Sequence, residues 1–397
     1  MNYSSVQLFP LRSFKKLDPC CLPQYHCLFP SSLHMDHLRS GMETLHRFIS
    51  DPSNLTVSLH VPSLVGAAGA TMVGYVVLRY IWELIPAGGT KQKAVFITGC
   101  DSGFGRALSL KCAKAGFTVF SGCLTEEGRY SLSKEAASLP LFPVPLDITK
   151  DESVVEARKI VGEKLGDKTL WAVVNNAGIF SCYGLAEWCT SDEYKLSFEV
   201  NLLGAVRVTN AFLDLLKRSK GRLISVSSVA GRIAAAGSGP YSVAKYGVEA
   251  WNDVMRRELR PFGVSVHLVE PGIFKATNLL DVKAHSDRVS SVWKKMKKEL
   301  REEYGEEYKE ELIEAWNGSL NRMGSTNINL VVDNYFHALT AYFPRLRYQC
   351  GWDAILIWYP ASFMPTPIQD RFLNLLSSKA PVPSILKRGG FGEKKMN

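Results

Sequence analysis

A doubly wound α/β fold with a parallel sheet is predicted for this chain by three observations. From Lys93 to about Thr277, short apolar runs alternate with stretches long enough to be crossover helices. The runs are apolar on consecutive positions, as strands buried on both faces require. A glycine-rich turn follows the first run and opens a helix.

The predicted strands, in order, are "AVFIT" (94–98), "TVFSGCL" (118–124), "LFPVPLDI" (141–148), "LWAVVN" (170–175), "RLISVSS" (222–228) and "VSVHLVEPG" (264–272). The region 93–280 is therefore expected to form one α/β domain. Residues 1–54 have weak periodicity and several Pro and Ser residues, and read as a flexible tail. Residues 55–85 read as a membrane anchor. Leu55–Leu78 holds no Asp, Glu, Lys or Arg, and Tyr75, Tyr80 and Trp82 suit an interfacial belt. Residues 281–378 are expected to be a helical, apolar substrate or membrane-proximal extension. Within it, 283–322 is charged with apolar residues at helical spacing, and 352–368 is rich in aromatic residues.

Composition narrows the functional classes. The 46% hydrophobic content is that of a globular protein with a sizeable core. The net charge of +9 comes from dispersed basic residues, with no dense basic run interleaved with aromatics, so nucleic-acid binding is not expected. The positive excess suits an anionic cofactor or membrane surface. Nine cysteines without a C-x-x-C pair imply free thiols, and the cluster Cys20, Cys21, His26 and Cys27 is too irregular to predict a metal site.

"TGCDSGFG" (98–105) carries the first chemical signal. Gly99, Gly103 and Gly105 permit a tight turn and close approach of backbone N–H groups to a pyrophosphate at a helix N-terminus. The second signal is "PYSVAK" (240–245), which sets Tyr241 and Lys245 one helical turn apart. A free tyrosine, with a pKa of about 10, is a poor base near neutrality. A nearby cation favours the phenolate. Alone, the pair reads equally well as two neighbours on a helix face. Ser228 could be a strand-end cap, Asn201 a helix-interior amide, and Asp147 a helix cap. His267 reads as a satisfied core histidine.

Taken together, the motifs Thr98–Gly105, "NNAG" (175–178), "VNLLG" with Asn201, Ser228 thirteen residues before Tyr241, and "PGIFKAT" (271–277) resemble the short-chain dehydrogenase/reductases over about 93–280. The branch it looks like holds retinol dehydrogenases, 17β-hydroxysteroid dehydrogenase type 2 and D-β-hydroxybutyrate dehydrogenase. The resemblance implies a Rossmann-like fold. It implies a catalytic set of Asn201, Ser228, Tyr241 and Lys245, in which Tyr241 moves the substrate proton and Lys245 holds the nicotinamide ribose. Ser228 would bond the substrate oxygen, and Asn201 would keep a water in the proton relay. It further implies cofactor contacts from Thr98, Gly99, Gly103, Phe104, Gly105, Asp147, Asn175, Ala177, Gly178, Tyr241, Lys245, Pro271, Gly272 and Thr277. No metal ligand is implied.

NAD is favoured over NADP, because neither Cys123 nor Ser102 is accompanied by a cation for the extra phosphate. The expected partners are a small-molecule alcohol or ketone and a membrane, endoplasmic reticulum or mitochondrial, with homo-oligomerisation expected by analogy. The aromatic C-terminal region points to a lipophilic alcohol, steroid- or retinoid-like. The alternatives are 3-hydroxybutyrate, and a membrane-anchored NAD-binding scaffold without turnover.

Overall fold

The computed structural model describes residues 61–275, 277, 280–376 and 381–389. The tail, residues 55–60 of the expected anchor, and the Cys20/Cys21/Cys27 cluster lie outside these residues. The chain divides into two compact units at Gly74/Tyr75.

The larger unit is built on a seven-stranded parallel sheet of order β3-β2-β1-β4-β5-β6-β7. Its strands are β1 (Lys93–Thr98), β2 (Thr118–Cys123), β3 (Leu141–Pro145), β4 (Thr169–Asn175), β5 (Arg222–Val226), β6 (Ser265–Pro271) and β7 (Arg347–Cys350). Consecutive apolar side chains make these strands, because both faces are covered. Val95 and Ile97 enter one core with Leu108, Phe117 and Tyr335. Ala94 and Phe96 enter the opposite core with Phe120, Phe212 and Leu216. This is the doubly wound arrangement expected from the sequence, and its Rossmann-like class is confirmed.

The strand order reverses between β1 and β4. In such sheets a crevice opens at the carboxyl ends of the strands on either side of the reversal. Several observed strands end earlier than their apolar runs, β5 at Val226 and β6 at Pro271. There the chain leaves the sheet and turns into the crevice.

Helices α2 (Gly103–Lys114), α3 (Glu126–Ala136), α4 (Asp151–Leu165), α5 (Ser191–Phe198), α6 (Gly204–Ser219) and α7 (Gly239–Leu259) connect the first six strands. Their starts follow from capping chemistry. The Thr125 side chain accepts from Gly128 N at the head of α3. Thr190 and Glu193 form a reciprocal capping box at the head of α5.

Strand β7 was not anticipated. Its sequence, "RYQC", is half polar, because it is an edge strand whose Arg347 and Gln349 pair with Glu270 on β6. The charged 283–322 stretch folds into three helices, α8 (Val282–Lys295), α9 (Lys298–Tyr304) and α10 (Glu306–Met323). They do not simply face solvent: Val289, Val292 and Trp293 are buried with Trp188 and Tyr308 in an aromatic cluster. Helix α11 (Asn329–Thr340) packs behind the sheet, and α12 (Thr366–Leu376) follows β7. His267 is a core histidine, as expected. Its ring nitrogens meet Arg345 O and Ser265 Oγ, and burial pushes its pKa down to about 4.

The transmembrane reading of 55–85 is corrected. Helix α1 (Val61–Glu83) forms, but among the described residues no helix is long and apolar enough to cross a membrane. Gly66, Gly69, Thr71 and Gly74 dilute its apolarity, and Arg79 and Glu83 charge its last turns. Glu83 is moreover tied to the fold. Its carboxylate accepts from Arg345 and Arg79, and its carbonyl meets His337 Nε2 at 3.0 Å.

Candidate active site

Four loops at the carboxyl ends of β1, β4, β5 and β6 enclose a cavity of about 650 Å³. The turn after β1 is shaped by its glycines. Gly99 has φ +69°, and a Cβ there would lie 2.7 Å from Ala177 Cα. A Cβ on Gly105 would collide with Gly99 O and Asn176 Nδ2. Gly103 differs: its φ is +62°, but a Cβ would meet only Thr277 Cγ2, at 3.9 Å. Two glycines therefore fold the turn and the third presents bare backbone to open space at the head of α2. That is the cradle a pyrophosphate needs. Phe104 follows on the cavity wall, edge-on to Phe274.

Thr98 sits just behind this turn and is 1% exposed. Its Oγ1 accepts from Asn176 N and Ala177 N, so it welds the end of β1 to the loop after β4. Asn175 and Asn176 then part company. Asn175 turns away from the cavity and donates to Thr209 Oγ1 on α6. Asn176 lines the cavity and donates to Thr98 O and Gly99 O. Sequence reasoning picked the first asparagine, whereas the geometry brings in the second. The strand's alternation decides this, since adjacent residues face opposite sides. Ala177 packs against the second core and Gly178 lines the cavity. Asp147 is not on the cavity wall. It accepts from Thr149 N and Oγ1 and pairs with Lys150, so it caps the turn before α4.

Asn201 lies on a π-helical turn, Glu199–Leu203, inserted between α5 and α6. Such turns carry one extra residue per turn and recur at functional sites. Asn201 Oδ1 accepts from Ile179 N at 2.9 Å and Nδ2 donates to Ile179 O at 3.0 Å. The amide therefore clamps the loop that carries Gly178 and Phe180.

On α7, Tyr241 and Lys245 both face inward, 7% and 2% exposed. Lys245 Nζ donates to Val226 O at 3.0 Å and stands 5.6 Å from the Tyr241 ring centroid. Burial pushes Tyr241 up to about 12, with Ser228 acting in the opposite sense, and pushes Lys245 down to about 8, with Glu249 acting in the opposite sense. Both shifts favour the neutral forms, so desolvation competes with the charge pairing expected from sequence. Both serines after β5 line the cavity. Ser228 Oγ accepts from Ala230 N at 3.1 Å.

Pro271, Gly272 and Thr277 line the cavity from the loop after β6. A residue that sequence reasoning missed holds this loop. Asp353, fully buried, accepts from Ile273 N at 2.8 Å and Trp358 Nε1 at 3.1 Å, and its carboxylate fills the space where a Gly272 Cβ would be. Nothing in "CGWDA" signals this, because the contact spans eighty residues. Asp101 was also passed over. Its carboxylate accepts from Leu124 N, Thr125 N and Thr125 Oγ1, joining the glycine turn to the end of β2. Its place inside "TGCDSGFG" was the available signal.

A glycine cradle at the reversal point of a parallel sheet, facing a buried tyrosine–lysine turn, defines a dinucleotide-binding oxidoreductase. The chain belongs to the short chain dehydrogenase family, whose model matches residues 93–287, and it acts on CH–OH groups. It is 45% identical over 300 residues to a 3beta-hydroxysteroid dehydrogenase of Caenorhabditis elegans, covering 74% of this chain and 77% of that one. It is 42% identical to 17-beta-hydroxysteroid dehydrogenase type 6 of Rattus norvegicus (79% and 98% covered) and 39% identical to retinol dehydrogenase 7 of Mus musculus (81% and 98%). These relatives place it in the retinol and steroid branch. A short chain dehydrogenase from Burkholderia phymatum, solved with NAD, shares the fold: TM-score 0.57, 19% identity, 74% of this chain and 98% of that chain covered.

Proposed function

We propose that this protein is an NAD(H)-dependent dehydrogenase of lipophilic alcohols, steroid- or retinoid-like, interconverting the alcohol and its carbonyl. The cavity carries this reading. Its wall carries a large apolar stretch, with Phe180, Leu185, Leu312, Trp316 and Met323 among the lining residues, interrupted by Ser319, Asp370 and Asn374. Among the described residues, Lys245 is the one cation that lines it. The anionic Asp370 on the same wall would oppose the carboxylate of a small hydroxy acid such as 3-hydroxybutyrate, and this favours a neutral alcohol.

The Gly99–Gly105 turn would hold the phosphates of a nicotinamide dinucleotide, which would supply the hydride acceptor. Tyr241 takes the substrate hydroxyl proton during oxidation and returns it during reduction. Ser228 hydrogen-bonds the same oxygen and stabilises charge that develops there. Lys245 supplies the positive charge that makes the phenolate accessible, and Asn201 holds the adjoining loop in register. The Asp101 carboxylate between the glycine turn and the end of β2 supports NAD, with Arg106 and Arg129 acting at the same strand end in the opposite sense.

Association with a membrane surface fits the exposed Tyr75, Leu78, Ile81 and Trp82 on α1 beside Tyr342, Phe343 and Leu346. Co-sedimentation with phospholipid vesicles tests it, and recovery wholly in the supernatant would refute it.

The central experiment is NADH fluorescence with a panel of steroid alcohols, retinol and 3-hydroxybutyrate. Turnover of the lipophilic alcohols supports the proposal. Turnover of 3-hydroxybutyrate alone overturns it.

A further inference from the structure

The wall of the cavity contains a second piece of chemistry that hydride transfer does not use. Between β4 and α5, the chain reverses at Leu185–Trp188, where Trp188 N donates to Leu185 O at 2.9 Å. The reversal returns Cys189 to Cys182, and their Sγ atoms stand 3.6 Å apart. No other pair of described cysteines makes such a contact: Cys100, Cys112, Cys123 and Cys350 are separately buried in the sheet core. Cys182 is buried, whereas Cys189 is partly exposed. Residues between them face the cavity, since Tyr183 and Leu185 both line it.

We propose that Cys182 and Cys189 form a dithiol modification site, which a peroxide oxidant closes to a disulfide that staples the Tyr183–Leu185 wall of the cavity. A disulfide needs an S–S distance of about 2.05 Å, so the two sulfurs must approach by about 1.5 Å. The reversal is short and closes on itself, and that movement stays within one turn of chain. The surroundings suit a thiolate. The contact with Cys189 holds the Cys182 pKa low, burial acts in the opposite sense, the Lys295 charge favours the thiolate, and the Glu193 carboxylate that pairs with Lys295 opposes it.

The chemistry balances with the oxidant alone. The Cys182 thiolate attacks one peroxide oxygen, the O–O bond breaks, and a sulfenic acid and hydroxide result. Cys189 sulfur then attacks Cys182 Sγ, expelling the sulfenic oxygen as water, and hydroxide takes up the proton that Cys182 had released. Two thiols are oxidised, and one peroxide is reduced to two waters.

The inference is independent of the substrate assignment, and its test reads no turnover. The full chain is treated with a few equivalents of hydrogen peroxide and mapped by non-reducing peptide mass spectrometry. Amide hydrogen exchange of residues 179–190 is followed before and after. A Cys182–Cys189 cross-linked peptide, reversed by dithiothreitol, together with at least several-fold slower exchange in this segment, is the expected result. In Cys189→Ser the cross-link should vanish and Cys182 should instead accumulate as a sulfenic acid trapped by dimedone. Recovery of both cysteines as free thiols or as separate sulfinic acids in the wild-type chain overturns the site. A cross-link without slower exchange overturns the staple.

Discussion

Lys245 holds its ammonium 5.6 Å from the centre of the Tyr241 ring while spending one hydrogen bond on Val226 O. The pair is therefore fixed from two directions, by its one-turn spacing on α7 and by the end of β5. Burial alone drives both side chains toward neutrality. Tyr241 then holds its proton as an acid, and the substrate oxygen it shares with Ser228 must draw the proton across.

Removal of the phenol oxygen should abolish proton transfer and leave the cavity intact. Tyr241→Phe is expected to lower kcat by about 10²–10⁴-fold, the usual contribution of a positioned acid or base. NADH binding, followed by fluorescence quenching, should be unchanged. Turnover equal to wild type would remove Tyr241 from the mechanism.

Carbonyl reduction should have a falling limb in alkali. It requires Tyr241 protonated and Lys245 charged; the first holds to about pH 12, the second only to about pH 8. The reduction rate should be flat below pH 8 and decline above it. Oxidation draws on the phenolate and should benefit from higher pH.

Glu249, one turn beyond Lys245, tunes that limb. Burial and the neighbouring Glu270 raise it to about 7, and Arg347 bridges the two carboxylates. Arg232 pairs with Glu270, and Asp253 with Arg347, on the far side. Above pH 7 the Glu249 carboxylate helps Lys245 keep its proton. Glu249→Gln should therefore move the falling limb to lower pH with no change in alcohol KM. A pH profile superimposable on wild type would show that the cluster is structural only.

The glycine turn has no room for Gly105→Ala, whose methyl would enter Gly99 O and Asn176 Nδ2. Destabilisation by about 1–3 kcal/mol is expected from the overpacking, with weakened dinucleotide binding. Thermal denaturation with and without NADH measures both.

Asp353→Ala leaves Ile273 N and Trp358 Nε1 without their buried acceptor. A loss of about 1–3 kcal/mol follows from the unsatisfied donors. Because these donors hold the loop carrying Gly272, cofactor KM should rise, and Asp353→Asn should restore part of the loss by keeping an acceptor oxygen.

The amino-acid sequence by itself determined the first six strands and the glycine turn, and it sets Tyr241 beside Lys245. These rest on short-range rules: consecutive apolar residues make buried strands, and spacing along one helix turn makes the pair, whereas Asn201 and Ser228 were singled out by the resemblance of their motifs to the family. Tertiary structure alone decided which face a strand-end residue takes. Asn176 instead of Asn175 meets the glycine turn, and Asp147 turns to Thr149 and Lys150. It also supplied β7 and Asp353, whose partners lie about eighty residues away on β6 and the loop after it. No local periodicity records such a pairing, because its energy is realised only when the sheet has brought the two segments together.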